Sequence, residues 1–151
     1  MARTRLTPIQ TNIPYKFSAY RAAAFSANTS AITTVVIDTK NFDTGTNFST
    51  ATGLFTAPVA GFYFFAASGG CTALTAGVVI ACALIKNGSE TLRGTQADVG
   101  ATASDVNAPV SGILQLAAND TVGFGLYAGA ANTGAVGSNR TWFTGFLVSA
   151  T

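Results

Sequence analysis

The chain of 151 residues contains no histidine. That removes the Ser-His-Asp and Cys-His catalytic arrangements and every histidine-based zinc site. Two cysteines, Cys71 and Cys82, are too few to hold a structural zinc ion. Charged side chains make up only 9% of the sequence, against about a quarter in an ordinary soluble domain. The sole glutamate is Glu90. A pair of carboxylates could serve glycosidase chemistry at the right separation, but the six acids are scattered over loops, mostly where turns favour Asp. Gly123-Phe124-Gly125 lacks the third glycine and the following helix of a dinucleotide motif, and there is no P-loop. Although hydrophobic residues reach 48%, no run approaches the roughly 20 apolar residues of a spanning helix. No membrane insertion is expected, and no catalytic residue suggests itself.

What charge there is lies unevenly. Arg3, Arg5, Lys16 and Arg21 all precede the first acid, Asp38. The rest of the chain sets four basic residues against six acidic ones. Met1–Lys16 has no hydrophobic period, and Pro8 and Pro14 discourage helix. We read residues 1–16 as an extended N-terminal arm and 17–151 as one domain, long enough to bury a proper core. A basic arm suits docking on a negative surface through Arg3, Arg5 and Lys16; a solvated tail is the other reading. Four basic residues are too few to argue for nucleic acid. The N-terminus lacks the apolar stretch of a signal peptide, so folding in a cytoplasm is expected, with Cys71 and Cys82 read as free buried thiols and a cross-strand disulfide as the other reading. The five Asn-x-Ser/Thr matches, at Asn28, Asn47, Asn87, Asn119 and Asn139, are then chance.

The chain is organised around Thr52–Ser68. Gly53 opens it, Leu54-Phe55 follow, Pro58 interrupts because it has no N–H to give, and Gly61 releases Phe62-Tyr63-Phe64-Phe65-Ala66-Ala67. A short aromatic run bounded by Gly and Pro reads as strand. It is apolar at both parities, so both faces need cover, one from the opposite sheet and one from a neighbouring subunit. Further strands are expected at Phe17–Ser26, Thr33–Asp38, Val78–Lys86, Glu90–Gly94, Val110–Leu116, Thr121–Tyr127 and Arg140–Ser149. Asn87-Gly88 is a two-residue hairpin signal. Asn41–Ser49, Ser68–Gly77, Thr95–Ala108 and Gly129–Asn139 read as loops or slack strand ends. Short strands at regular spacing with Gly and Asn turns make an all-β sandwich. Tyr20, Phe62, Phe64, Phe143 and Phe146 are read as core. Tyr127, Trp142 and Tyr15 stand beside polar loops; Tyr127 and Trp142 are the candidates for facing a ligand.

Four segments carry a resemblance. Thr52–Phe65 is similar to the T-G-x-F-x-A-P-x-x-G-x-Y-x-F motif of the C1q domain, the globular head of the C1q and tumour-necrosis-factor-like superfamily. Leu84-Ile85-Lys86-Asn87-Gly88 resembles that family's hairpin. Leu114–Val122 resembles its L-x-L-x-x-G-D-x-V, with Asn119 in place of Gly. Phe143–Val148 resembles its closing F-x-G-F-L strand. In order and at the family's spacing, these run from about Phe17 to Val148.

The resemblance implies jelly-roll topology and a tight homotrimer with apolar strands about a threefold axis, which suits the scarce charge. It implies no enzyme and no obligatory cofactor. Calcium is the one ion it leaves open, with Asp38, Asp43 and Asp98 in or beside polar loops but no EF-hand spacing. Without the collagen-like stalk or secretion signal of animal members, the chain resembles C1q-like modules borne on bacteriophage particles. The expectation is a trimeric virion surface protein, either a capsid decoration or head spike or a tail-fibre and receptor-binding tip. Its arm would hold another virion protein, and its distal loops would meet a host-surface glycan or protein. The alternative is a free carbohydrate-binding lectin.

Overall fold

The computed structural model describes residues 15–100 and 104–151. Twelve strands and no helix run through the described residues: β1 (Lys16–Tyr20), β2 (Thr33–Thr34), β3 (Thr39–Asp43), β4 (Phe48–Ser49), β5 (Leu54–Thr56), β6 (Gly61–Leu74), β7 (Val79–Lys86), β8 (Ser89–Asp98), β9 (Ser104–Leu116), β10 (Thr121–Ala128), β11 (Thr133–Gly134) and β12 (Trp142–Ala150). They form two six-stranded sheets. The first runs β11-β6-β12-β1-β3, with β9 also on β6; the second runs β4-β5-β10-β7-β8, with β2 also on β10. Every strand pairing is antiparallel. The result is an all-β sandwich consistent with a jelly roll.

The core is aromatic. Phe17 stacks on Phe48 at 4.6 Å and on Phe55 at 5.2 Å, and meets the edge of Phe143 at 4.9 Å. Phe65 stacks on Phe143 at 5.8 Å. From the second sheet come Ile80, Cys82, Leu84, Val122, Phe124 and Leu126, all fully buried. Tyr63 is buried too, and its hydroxyl donates to the Val59 carbonyl at 2.8 Å, so the phenol enters the core without an orphaned polar atom.

Several boundaries differ from the sequence reading. The β-branched run Thr33–Asp38 forms only the short β2, because the chain there crosses from the second sheet to the first. Val35 and Ile37 plug the core during the crossing, and Val35 N–H bonds the Phe124 carbonyl at 2.8 Å. Asn41–Asp43, read as loop, belongs to β3. Ser68–Leu74, read as loop or slack end, continues β6. Its glycines accommodate packing: a Cβ on Gly69 would stand 2.4 Å from the Phe124 ring. Part of Thr95–Ala108 likewise extends β8 and β9. The first strand ends at Tyr20, where Arg21 turns the chain by donating to the carbonyls of Ala23, Ala24 and Val36.

Registers give the sandwich two distinct ends. At one lie Lys16, the Asn87-Gly88 turn, the turn before Thr121 and the C-terminal Thr151, which bonds the Ala60 carbonyl. At the other lie Tyr20, Trp142, Ser68, Val79 and Ala128.

Candidate assembly interface

Strand β6 alternates. Tyr63, Phe65 and Ala67 point into the core, while Phe62, Phe64 and Ala66 point outward. Register then extends the outward apolar row across three strands, because Phe64 pairs with Ile113 of β9 on one side and Phe146 of β12 on the other. The rings of Phe64 and Phe146 lie 5.4 Å apart. Among the described residues, seven large hydrophobic side chains are exposed, and Phe42, Phe62, Ile113, Phe146 and Val148 of these share the outer face of the first sheet. Ile113 is 59% exposed and Val148 46%. Ser18 and Thr144 separate Phe42 from the others; an apolar row such as Phe62, Phe64, Ile113, Phe146 and Val148 on one sheet face marks an interaction surface. A groove of about 600 Å³ runs along it between Phe64, Ala66, Pro109 and Trp142.

These positions revise the expected core. Only Phe143 of the five aromatics assigned there is fully buried; Phe62 and Phe146 are each 38% exposed, and Phe64 and Tyr20 are half-buried. A monomer's own second sheet can cover only one side of the first, so the even positions of β6 have no intramolecular partner layer. Ile113 and Val148 carried no sequence signal of their own; register with Phe64 and the irregularity between Leu147 and Ser149 place them here.

Other singled-out residues fall elsewhere. Lys16 is the first residue of β1, not part of an arm: its N–H reaches Thr44 Oγ1 at 3.3 Å, its carbonyl accepts from Thr44 N–H at 3.0 Å, and it pairs with Phe146. Arg3 and Arg5 lie outside the described residues. Tyr127 and Trp142 are not brought together, since Trp142 edges the groove on the first sheet and Tyr127 stands on the outer face of the second.

Asn87 and Gly88 form the β7–β8 turn, with φ of 49° and 79°. The Asn87 side chain also grips the neighbouring turn, donating to Asp120 and accepting from Thr121 N–H. Of the acids considered for calcium, Asp38 accepts from the N–H groups of Ala22 and Ala23. Asp43 accepts from those of Asn47 and Phe48 and pairs with Lys40. Their oxygens serve turns, and no group of three or more metal-ligating side chains forms among the described residues. Cys71 and Cys82 are free and buried, and burial pushes their thiols up to about 11 and about 12.

A family model for the C1q domain matches residues 16–148. Among solved structures, the fold is similar to the globular domain of zebrafish complement 1qA protein, at 19% identity and a TM-score of 0.68 over 91% of this chain and 99% of that one. It is similar also to murine APRIL, at 10% identity and a TM-score of 0.67 over 89% and 98%. No curated protein matches the chain.

Proposed function

The chain belongs to the C1q domain family, and from that premise we propose that it is a non-enzymatic homotrimeric display module, mounted on a virion surface through its N-terminal residues. C1q/TNF-like domains are typically trimeric and generally bind ligands or build structure without catalysing reactions. The observation that carries the reading is the uncovered row Phe62, Phe64, Ile113, Phe146 and Val148. Three copies closing on this face give it the second cover that the sandwich lacks. Full burial of an aromatic or branched aliphatic side chain is worth about 1.5–3 kcal/mol; these five are already part-buried in the protomer, so closing the face adds a fraction of that from each, which helps offset the cost of association.

Orientation supports mounting by one end. Lys16 leads the described chain away from the end that carries the Asn87-Gly88 turn, while Trp142 and the loops beside it occupy the opposite end. Attachment at the first end leaves the second outward, whether the particle carries the trimer on its head or on its tail tip.

Light scattering of the purified chain tests the assembly. The expected result is a trimer mass that persists in high salt, since the contact is apolar; a stable monomer at micromolar concentration overturns it. Quantitative mass spectrometry of purified particles tests the mount, with copy numbers in multiples of three expected and absence from the particle overturning it.

A further inference from the structure

A second concave site lies on the opposite side of the sandwich from the apolar row. On the outer face of the second sheet, Tyr127 of β10 pairs with Ala81 of β7, and Ala81 pairs with Gln96 of β8. The central residue of that row is an alanine between two long side chains, so the sheet surface sinks there. Val79 continues the apolar floor, and loop residues Ser30–Ile32 close one wall, giving an open cleft of about 450 Å³. Gly125 lets that loop come close: a Cβ on it would stand 2.6 Å from Ile32 Cγ2. Asn28 Oδ1 holds the loop by accepting from Ser30 N–H at 2.7 Å and Ala31 N–H at 3.2 Å. The Tyr127 hydroxyl in turn lies over Gly129, 3.2 Å from where a Cβ would be.

We propose that this cleft binds a neutral sugar, the end of a short glycan. Its volume falls within the roughly 300–1,000 Å³ of small-molecule sites. A pyranose offers an apolar C–H face and a rim of hydroxyls that both donate and accept. The cleft matches both: the Tyr127 ring with the Val79 and Ala81 floor for the first, and the Gln96 amide and Ser30 hydroxyl for the second. Arg93 is the only basic or acidic residue in the described lining, and it stands in an exposed ion pair. Its Nε and Nη2 donate to the two Glu90 carboxylate oxygens at 2.6 and 2.8 Å, so the pair as a whole carries no net charge while Nη1 remains a donor. A lining whose one ion pair is balanced gives a carboxylated or sulfated ligand no advantage over an uncharged one. The lining comes from one protomer and lies on the face opposite the apolar row, while β8 residues Gly94 and Thr95 between Arg93 and Gln96 line the groove beside that row.

Saturation-transfer NMR on the full chain reads this directly, with glucose, galactose, mannose and N-acetylglucosamine as neutral probes and N-acetylneuraminic acid as the charged one. At least one neutral sugar is expected to receive saturation at millimolar concentration. Tyr127→Ala should remove at least nine-tenths of that signal, and Ala81→Leu, which fills the floor, should do the same. Circular dichroism and melting temperature serve as the folding check; should Ala81→Leu fail to fold, Gln96→Ala replaces it. Transfer to none of the neutral sugars overturns the proposal. So does transfer that survives Tyr127→Ala, or a preference for N-acetylneuraminic acid.

Discussion

Asn87 Nδ2 donates to Asp120 Oδ1 at 2.8 Å, so the turn between β7 and β8 is fastened to the turn between β9 and β10. Asp120 is held further by Lys86 Nζ at 2.9 Å and by the Ala117 N–H. The Asn87 amide first, then the Lys86 ammonium and the Ala117 N–H, bring the Asp120 carboxyl down to about 2. Its folded value lies below the unfolded one of about 4. The stabilisation is therefore complete above about pH 4 and is lost as pH falls through about 2. Asp120→Asn should lower the urea midpoint at neutral pH, and the gap from the parent chain should close as the solution is acidified toward pH 2. A gap that is constant with pH would show that the carboxylate charge contributes nothing.

Gly88→Val should cost about 1–3 kcal/mol, read from chemical denaturation. The cause is backbone conformation alone, because a Cβ at Gly88 meets nothing within 4 Å while φ is +79°. Asn87→Gly is the informative companion. It keeps a turn that tolerates positive φ and removes only the side-chain link to Asp120 and Thr121, so it should be milder than Gly88→Val and should weaken the acid dependence described above, leaving the share that Lys86 and the Ala117 N–H contribute.

Ile113→Asp should turn the trimer into a folded monomer. At 59% exposure the new carboxylate stays hydrated in a single protomer, where surface changes usually stay within about 0.5 kcal/mol. In a closed trimer it would be buried without a partner, which costs several kcal/mol. Val136→Asp is the control, an exposed valine outside the apolar row. Light scattering should show mass loss for the first and none for the second, with unchanged circular dichroism for both. Equal behaviour of the two would remove the row from the interface.

Parts of this architecture were legible because the local chemistry is unambiguous. Asn87-Gly88 can make its tight turn through positive φ at both positions. Asn119 stands where the family motif has Gly and takes a φ of 72°, which Asn tolerates better than other side chains. Gly145 of the closing strand is required by packing, since a Cβ there would come within 2.4 Å of Phe65 and 3.0 Å of Phe17. Other parts depend on tertiary partners that a one-dimensional pattern does not contain. Val35 and Ile37 have strand-like side chains but serve a crossing between sheets. Gly69 and Gly70 look like strand breakers but lie within β6. Phe62 and Phe146 look like core and face outward. The cleft was half visible, through Tyr127; Gln96 and Arg93, three residues apart, join it together only because the β7–β8 register shifts between Ala81 and Ala83.

The N-terminal boundary gives the sharpest test of mounting. Residues 1–14 contain Arg3, Arg5, Pro8 and Pro14 and no acidic residue. Tyr15, the first of the described residues, is tied to the domain: its carbonyl accepts from Leu147 N–H at 3.0 Å and its ring packs against the core. A deletion that removes Tyr15 would therefore strip one sheet contact and expose apolar surface, confusing attachment with stability. Deleting 1–14 avoids this and should leave the trimer mass unchanged and the melting temperature within a few degrees. Incorporation into the parent particle should fall to background. Arg3→Glu with Arg5→Glu should reproduce that loss in the full-length chain, because reversed charge opposes docking on an acidic surface while leaving length and prolines intact. If the truncated trimer still incorporates, attachment belongs to the folded domain and the arm has no mounting role. If truncation abolishes incorporation and the charge-reversed chain incorporates normally, the arm mounts the trimer through shape and backbone contacts, and the basic side chains are solvated.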